Sequence, residues 1–194
     1  MIKCLITMKT DLRVLKSKLA IESAFINLVE IKGLQNITVT EIAEKALVNR
    51  NTIYLNYGTK EGILETIVKD SFQKEFSSID IETVRKTTLN KRTITDLYTK
   101  LFNVIDDNIE LYRIILTDAA SQGYLRTELK KLTNIFESTI KPQEKNKIKF
   151  AFIMTGVLGT LNNYITLAVG SKEENIKILS DMTLSNLRHL DYSR

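Results

Sequence analysis

Arg50, Asn51, Tyr54 and Asn56 crowd into seven consecutive positions, and each carries a side chain able to grip or read a nucleic acid. A guanidinium forks onto guanine, a primary amide pairs with adenine, and a phenol reaches a phosphate or a thymine methyl. Other chemistries are poorly supplied. Cys4 and His189 are the only cysteine and histidine, so no disulfide framework or Cys-rich metal site can be assembled within one chain, His189 has no second histidine with which to share a metal, and no Ser-His-Asp arrangement is suggested. With no nucleophile constellation and no phosphate-binding loop, the sequence predicts no catalytic residue, no metal and no cofactor, and hence no enzyme.

The elements that must hold these side chains run from Ile37 to Lys60. Thr38 is placed to cap a short helix, and Glu41, three residues on, to close a capping box, with Ile37 and Ile42 as the hydrophobic staple. Ile42, Ala43 and Ala46 then share one face. Asn49 is a good cap for a second helix over about Arg50 to Asn56. Ile53 turns inward with Val48 and Tyr57 beside it, while Arg50, Asn51, Tyr54, Leu55 and Asn56 are left outside. This is the layout of a helix-turn-helix whose second helix enters a major groove. The same residues also suit a solvated helix hairpin.

The stretch from Leu12 to Thr66 resembles the DNA-binding half of the TetR family of transcriptional regulators. The matching positions are Thr38, Thr40, Ile42-Ala43, Val48, Thr52, Tyr54 and Lys60-Glu61. The resemblance implies base-edge contacts from Arg50, Asn51 and Tyr54, with Asn56 at the helix end. It implies phosphate contacts from Thr40, Thr52, Tyr54 and Lys60. Four positions depart from the family pattern. Leu47 stands where the turn has Gly, which predicts a strained or altered turn. Ile53 replaces Phe, Asn56 stands in place of His, and Gly58 replaces a polar residue.

The net charge of +5 is unevenly spread: residues 1–60 hold nine Lys and Arg against five Asp and Glu, whereas residues 61–194 hold nineteen against eighteen. A basic head joined to a neutral body is the footprint of a nucleic-acid module. The remaining composition, 43% apolar and 26% charged over 194 residues, is that of a chain able to bury a core. No strand pattern or repeat competes with the helical periodicity. MIKCLITMKT is too short and too interrupted by lysine for a signal peptide, so a cytoplasmic protein is expected, with Met1 or Met8 as its start.

The expected fold is all-α, with about nine helices. Residues 1–60 form a three-helix helix-turn-helix head, and residues 61–194 form a helical ligand-binding and dimerisation body. A first helix spans 11–32, striped by Leu12, Leu15, Leu19, Phe25, Leu28 and Val29 and ended by Gly33. A fourth runs from Lys60 to about Phe76. A connection over 77–92 leads into helices near 94–107, 110–118, 123–140, 144–169 and 173–190. The segment Phe150–Val169 is apolar nearly all round. Its polar interruptions at Thr155, Thr160, Asn162, Asn163 and Thr166 argue against a membrane span and for burial on two sides.

The TetR-like layout then implies a homodimer through residues 144–190, binding a double-stranded DNA operator. It also implies a small-molecule effector in the body, for which Tyr98, Phe102, Tyr112, Phe136, Phe152 and Tyr164 are the candidate lining. A TetR-like coactivator or adaptor working through protein–protein contacts is the alternative function.

Overall fold

In the computed structural model, residues 2–77, 90–117, 121–137 and 144–187 are described, with side chains from Leu12 onward except those of residues 132, 133, 135–137, 144 and 145. They fall into two compact units, Met1–Val68 and Lys69–Arg194. Nine α-helices and one 3-10 turn are formed among the described residues. The expected connection lies almost wholly outside these residues, as do Pro142 and the chain beyond Leu187.

The first unit is built on α1 (Ile2–Lys32), the 3-10 turn Leu34–Asn36, α2 (Val39–Lys45), α3 (Arg50–Tyr57) and the start of α4 (Lys60–Phe76). No Gly or Pro interrupts the chain before Gly33, so α1 begins nine residues earlier than the periodicity alone suggests. At Gly33, φ is +77°, and its N–H closes the helix onto the Val29 carbonyl at 2.8 Å. Ile21, Phe25, Leu28 and Val29 pack against Leu34, Ile37, Ile42, Ala43, Ile53, Ile63 and Leu64, all buried. The expected single stripe along α1 is corrected in one respect. Leu12, Leu15 and Leu19 are 51–57% exposed. At 100° per residue they lie on nearly the opposite side of the helix from Ile21, Phe25 and Leu28.

Two glycines in this unit are dictated by geometry. Gly58 ends α3 at φ +73°, where a side chain is strained. Gly62 sits so close to the end of α3 that a Cβ there would lie 2.0 Å from the Tyr57 carbonyl oxygen.

The second unit contains α5 (Lys91–Asp106), α6 (Ile109–Thr117), α7 (Gln122–Glu137), α8 (Glu144–Leu167) and α9 (Lys172–Leu187). Asn90 caps α5 by accepting from the Thr93 N–H at 3.0 Å. Ile94, Tyr98, Leu101, Phe102 and Ile105 then form a strongly one-sided apolar face. That face packs on α9, which also meets α8. Leu111, Tyr112 and Ile115 of α6 and Leu125 and Leu129 of α7 complete the core.

α8 is buried on one side only. Phe150, Val157, Leu161 and Ile165 face inward, whereas Ile148, Phe152 and Leu167 are 58–67% exposed. By length and composition Asn146–Leu167 is a helix able to cross a membrane. Its exposed face also carries Thr155, Gly156, Gly159 and Asn163.

Candidate nucleic-acid interface

The helix-turn-helix forms where its caps place it. Thr38 Oγ1 accepts from the Glu41 N–H at 3.2 Å, and Glu41 Oε2 accepts from the Thr38 N–H at 2.8 Å, closing the capping box. Lys32 Nζ reaches the same carboxylate at 2.6 Å. These hydrogen bonds, the Lys32 ammonium first among them, hold the Glu41 carboxyl down at about 2, because each favours the ionised form.

Asn49 caps α3 through its side-chain oxygen, 2.8 Å from the Asn51 N–H. Between the two helices Leu47 takes φ +55° and is 92% exposed. The turn thus keeps the left-handed residue that glycine ordinarily supplies, and Leu47 occupies it with its side chain in solvent.

Ile53 is fully buried, and Arg50, Asn51, Tyr54, Leu55 and Asn56 are exposed. The helical period puts Arg50, Tyr54 and Asn51 on one side of α3. Arg50 Nη1 lies 3.4 Å from Thr40 Oγ1, so two expected DNA-contacting residues are brought together at the mouth of the turn. Tyr57, half-buried, donates its phenol to Glu22 of α1 at 3.3 Å.

Thr52 and Asn56 lie round the other side. They line a groove of about 690 Å³ together with Arg13, Ser17, Lys18, Leu47 and Val48. The Asn56 amide is turned back onto the Thr52 carbonyl at 2.6 Å. Arg13 and Ser17 were not among the expected contacts. Their signal in the sequence is their place one to two turns before the first core residue of α1, Ile21.

Lys60 has a different setting from its neighbours. Its ammonium donates to the carbonyl oxygens of Leu34 at 2.8 Å, Gln35 at 3.2 Å and Ile37 at 2.9 Å. An ammonium has three N–H donors, so a phosphate would have to compete with three backbone acceptors for this side chain.

The six aromatic candidates of the body are placed unequally. Tyr98, Phe102 and Tyr112 are buried. Tyr98 bonds Thr183 across the α5–α9 seam at 2.6 Å. Tyr164 meets Phe102 edge-to-face at 5.0 Å and donates to Asp106 at 3.0 Å, which also receives Lys172 at 2.7 Å. Phe152 points outward, 58% exposed, and the side chain of Phe136 lies outside the described residues. A groove of about 280 Å³ in the second unit is lined by Lys69, Phe72, Gln73, Phe76, Ser77, Glu128 and Lys131, a set that includes none of the six. Among the described residues, no group of three or more His, Cys, Asp or Glu side chains gathers as a metal site requires.

Comparison with known proteins agrees with this geometry. Residues 23–67 match the profile of the bacterial regulatory proteins of the tetR family. A stretch of 50 residues is 40% identical to YxbF of Bacillus subtilis, named an uncharacterised HTH-type transcriptional regulator; the match covers 26% of this chain and 13% of the relative. Among solved structures, a TetR transcriptional regulator from Streptococcus agalactiae superposes with a TM-score of 0.64 at 24% identity, covering 91% of this chain and 98% of that one. The fatty acid degradation regulator FadR of Bacillus halodurans does so with a TM-score of 0.64 at 17% identity, over 89% and 97%. The N-terminal module, residues 23–67, is thus that of the tetR family of bacterial regulatory proteins, and the chain has the all-α fold of TetR-family structures.

Proposed function

We propose that the chain is a ligand-responsive repressor that binds a palindromic operator as a homodimer in the cytoplasm. The observation that carries this is α3 itself. Ile53 anchors a two-turn helix whose exposed side offers Arg50, Asn51 and Tyr54, a set able to read guanine, adenine and a phosphate or thymine methyl. Thr40, beside Arg50, and Thr52 supply phosphate contacts, Asn56 lies at the helix end, and Lys60 adds one if it leaves its carbonyls.

The dimer reading is supported by α8, whose outer face of Ile148, Phe152 and Leu167 stands exposed among the described residues. Gly156 and Gly159 on that face have open space where a Cβ would project, which lets a second helix approach closely. Two heads on a two-fold axis would meet successive major grooves roughly 34–36 Å apart.

The effector would lie among the body helices, near Tyr98, Phe102, Tyr112, Phe136 and Tyr164, with Phe152 on the dimer side. It must favour the DNA-free arrangement, since a ligand shifts an equilibrium only by its differential affinity.

The test is selection of bound duplexes from a random pool, followed by gel shifts. One recovered palindrome, bound with affinity that falls steeply with salt, is expected. Arg50→Ala should cost about 1–3 kcal/mol and relax choice at one base, and Tyr54→Phe should weaken binding with less loss of choice. Equal binding to all duplexes would point instead to an adaptor.

A further inference from the structure

The outer side of α3 carries one side chain that can make no hydrogen bond. Leu55 is 87% exposed, while the other exposed positions of the helix, Arg50, Asn51, Tyr54 and Asn56, are all polar or amphipathic. A solitary exposed leucine is ordinary on a protein surface, and position is what sets this one apart. With 3.6 residues per turn, Asn51 and Leu55 each fall about 20° from the direction opposite Ile53, the fully buried anchor of the helix. They are the two most outward positions of α3. Arg50 lies round one flank, beside Thr40 of α2. Thr52 and Asn56 lie round the other, along the groove lined by Arg13 and Ser17 of α1. No rotation of α3 brings Leu55 onto its own head without pulling Ile53 out of the core.

We propose that Leu55 reads the 5-methyl group of a thymine on the floor of the major groove. The chemistry of the surface that α3 meets chooses the contact. Every base pair offers hydrogen-bond donors and acceptors in that groove, and the thymine methyl is its one apolar feature. Over a donor or acceptor edge, leucine would displace water and leave the base group unpaired. Over the methyl, it takes apolar surface out of water on both sides. Asn51, one turn earlier on the same ridge, carries the amide that pairs with adenine. The two side chains stand about 6 Å apart along the helix axis, close to two base-pair steps of about 3.4 Å. The thymine therefore lies within about two pairs of the adenine read by Asn51. This inference rests on the operator reading above, and adds to it the residue that favours thymine at one position of each half-site.

Uracil substitution in the selected operator tests it with the full-length chain. Replacing one thymine at a time by deoxyuridine removes the methyl and keeps every hydrogen-bonding group. At one thymine of a half-site the wild-type chain should lose affinity about four-fold, the effect of one methyl group returned to water. Leu55→Ala should bind the unmodified operator several-fold more weakly and be indifferent to uracil at that position, while keeping its response at all others. Leu55→Met, still apolar and unbranched, should retain the penalty. The Tm of Leu55→Ala should match that of the wild type, because the side chain packs against nothing in the free head. Specific binding by the wild type with no thymine sensitive to uracil overturns the contact and leaves the operator reading standing. A penalty that persists undiminished in Leu55→Ala also overturns it, and assigns the methyl to another side chain. A wild-type chain that selects no duplex sequence refutes the operator reading itself, and this inference falls with it.

Discussion

The Lys60 ammonium lies 2.8 Å from the carbonyl oxygen of Leu34, joining the first residue of α4 to the 3-10 turn that follows α1. The contact is one of three, with Gln35 and Ile37, and it satisfies carbonyls that the short turn leaves without helical partners. Lys60 is thereby a clasp between the start and the end of the head.

Lys60→Met removes the clasp and keeps most of the aliphatic stem. Hydrogen bonds to a charged group contribute about 1.5–3 kcal/mol, and the variant should lose about that much stability in urea denaturation. DNA affinity measured well below the new midpoint should fall only slightly. A large affinity loss with unchanged stability would return Lys60 to the phosphates.

Leu47 makes the opposite case. Its left-handed backbone costs roughly 1–2 kcal/mol in a residue with a Cβ, and its side chain, 92% exposed, packs against too little to offset that. Leu47→Gly removes the strain and adds about 0.5–1 kcal/mol of unfolded-state entropy. The net expectation is a stabilisation of about 0.5–1 kcal/mol, a rise in Tm of about 1–4 °C. A fall in Tm would mean that Leu47 has packing its exposure does not reveal.

The head was legible because its signals are local. A capping box needs only Thr38 and Glu41, an N-cap only Asn49, and the inward turn of Ile53 follows from a period of 3.6. The exposed strained turn at Leu47 could be anticipated for the same reason. The clasp of Lys60 could not, because it joins positions more than twenty residues apart. α1 misled for a different reason. Six apolar residues at near-helical spacing looked like one stripe, yet Leu12, Leu15 and Leu19 drift to the far side from Phe25 and Leu28. Spacing says which residues share a face but not which face the core takes. In the body the periodicity located the helices, whereas the outward turn of Phe152 depended on which side of α8 met its own chain.

The salt bridge beneath the capping box predicts a pH dependence. Glu41 titrates at about 2 in the folded head against an ordinary 4.5. A carboxyl with a depressed folded pKa stabilises above its unfolded pKa, and that contribution fades as pH falls toward the folded one. Stability of the head should therefore decline between about pH 4.5 and 2. Glu41→Gln should flatten this part of the profile, to a degree that shrinks in high salt because the pair is solvent-facing. Thermal melts across that window measure it. An unchanged slope in the variant would assign the acid sensitivity to other carboxyls.

Tyr112 carries the last prediction, because its hydroxyl is buried without a hydrogen-bond partner among the described residues on a side chain with no exposure at all. Burial pushes its pKa up. Ser71 lies close enough to moderate that shift without completing a bond of good geometry. A buried, unsatisfied hydroxyl costs about 1–3 kcal/mol, and a phenylalanine fills the same space without that cost. Tyr112→Phe should thus stabilise the free protein by about 1 kcal/mol, a rise in Tm of about 2–4 °C. If the phenol serves the proposed effector, the same change should reduce the additional stabilisation that a bound ligand confers, since binding shifts Tm through its affinity for the folded state. Melting both proteins with and without each hit of a metabolite screen separates these outcomes. A Phe variant that is more stable when free and equally stabilised by ligand leaves Tyr112 as core alone. One that is less stable when free shows that Ser71 or another group satisfies the hydroxyl in solution.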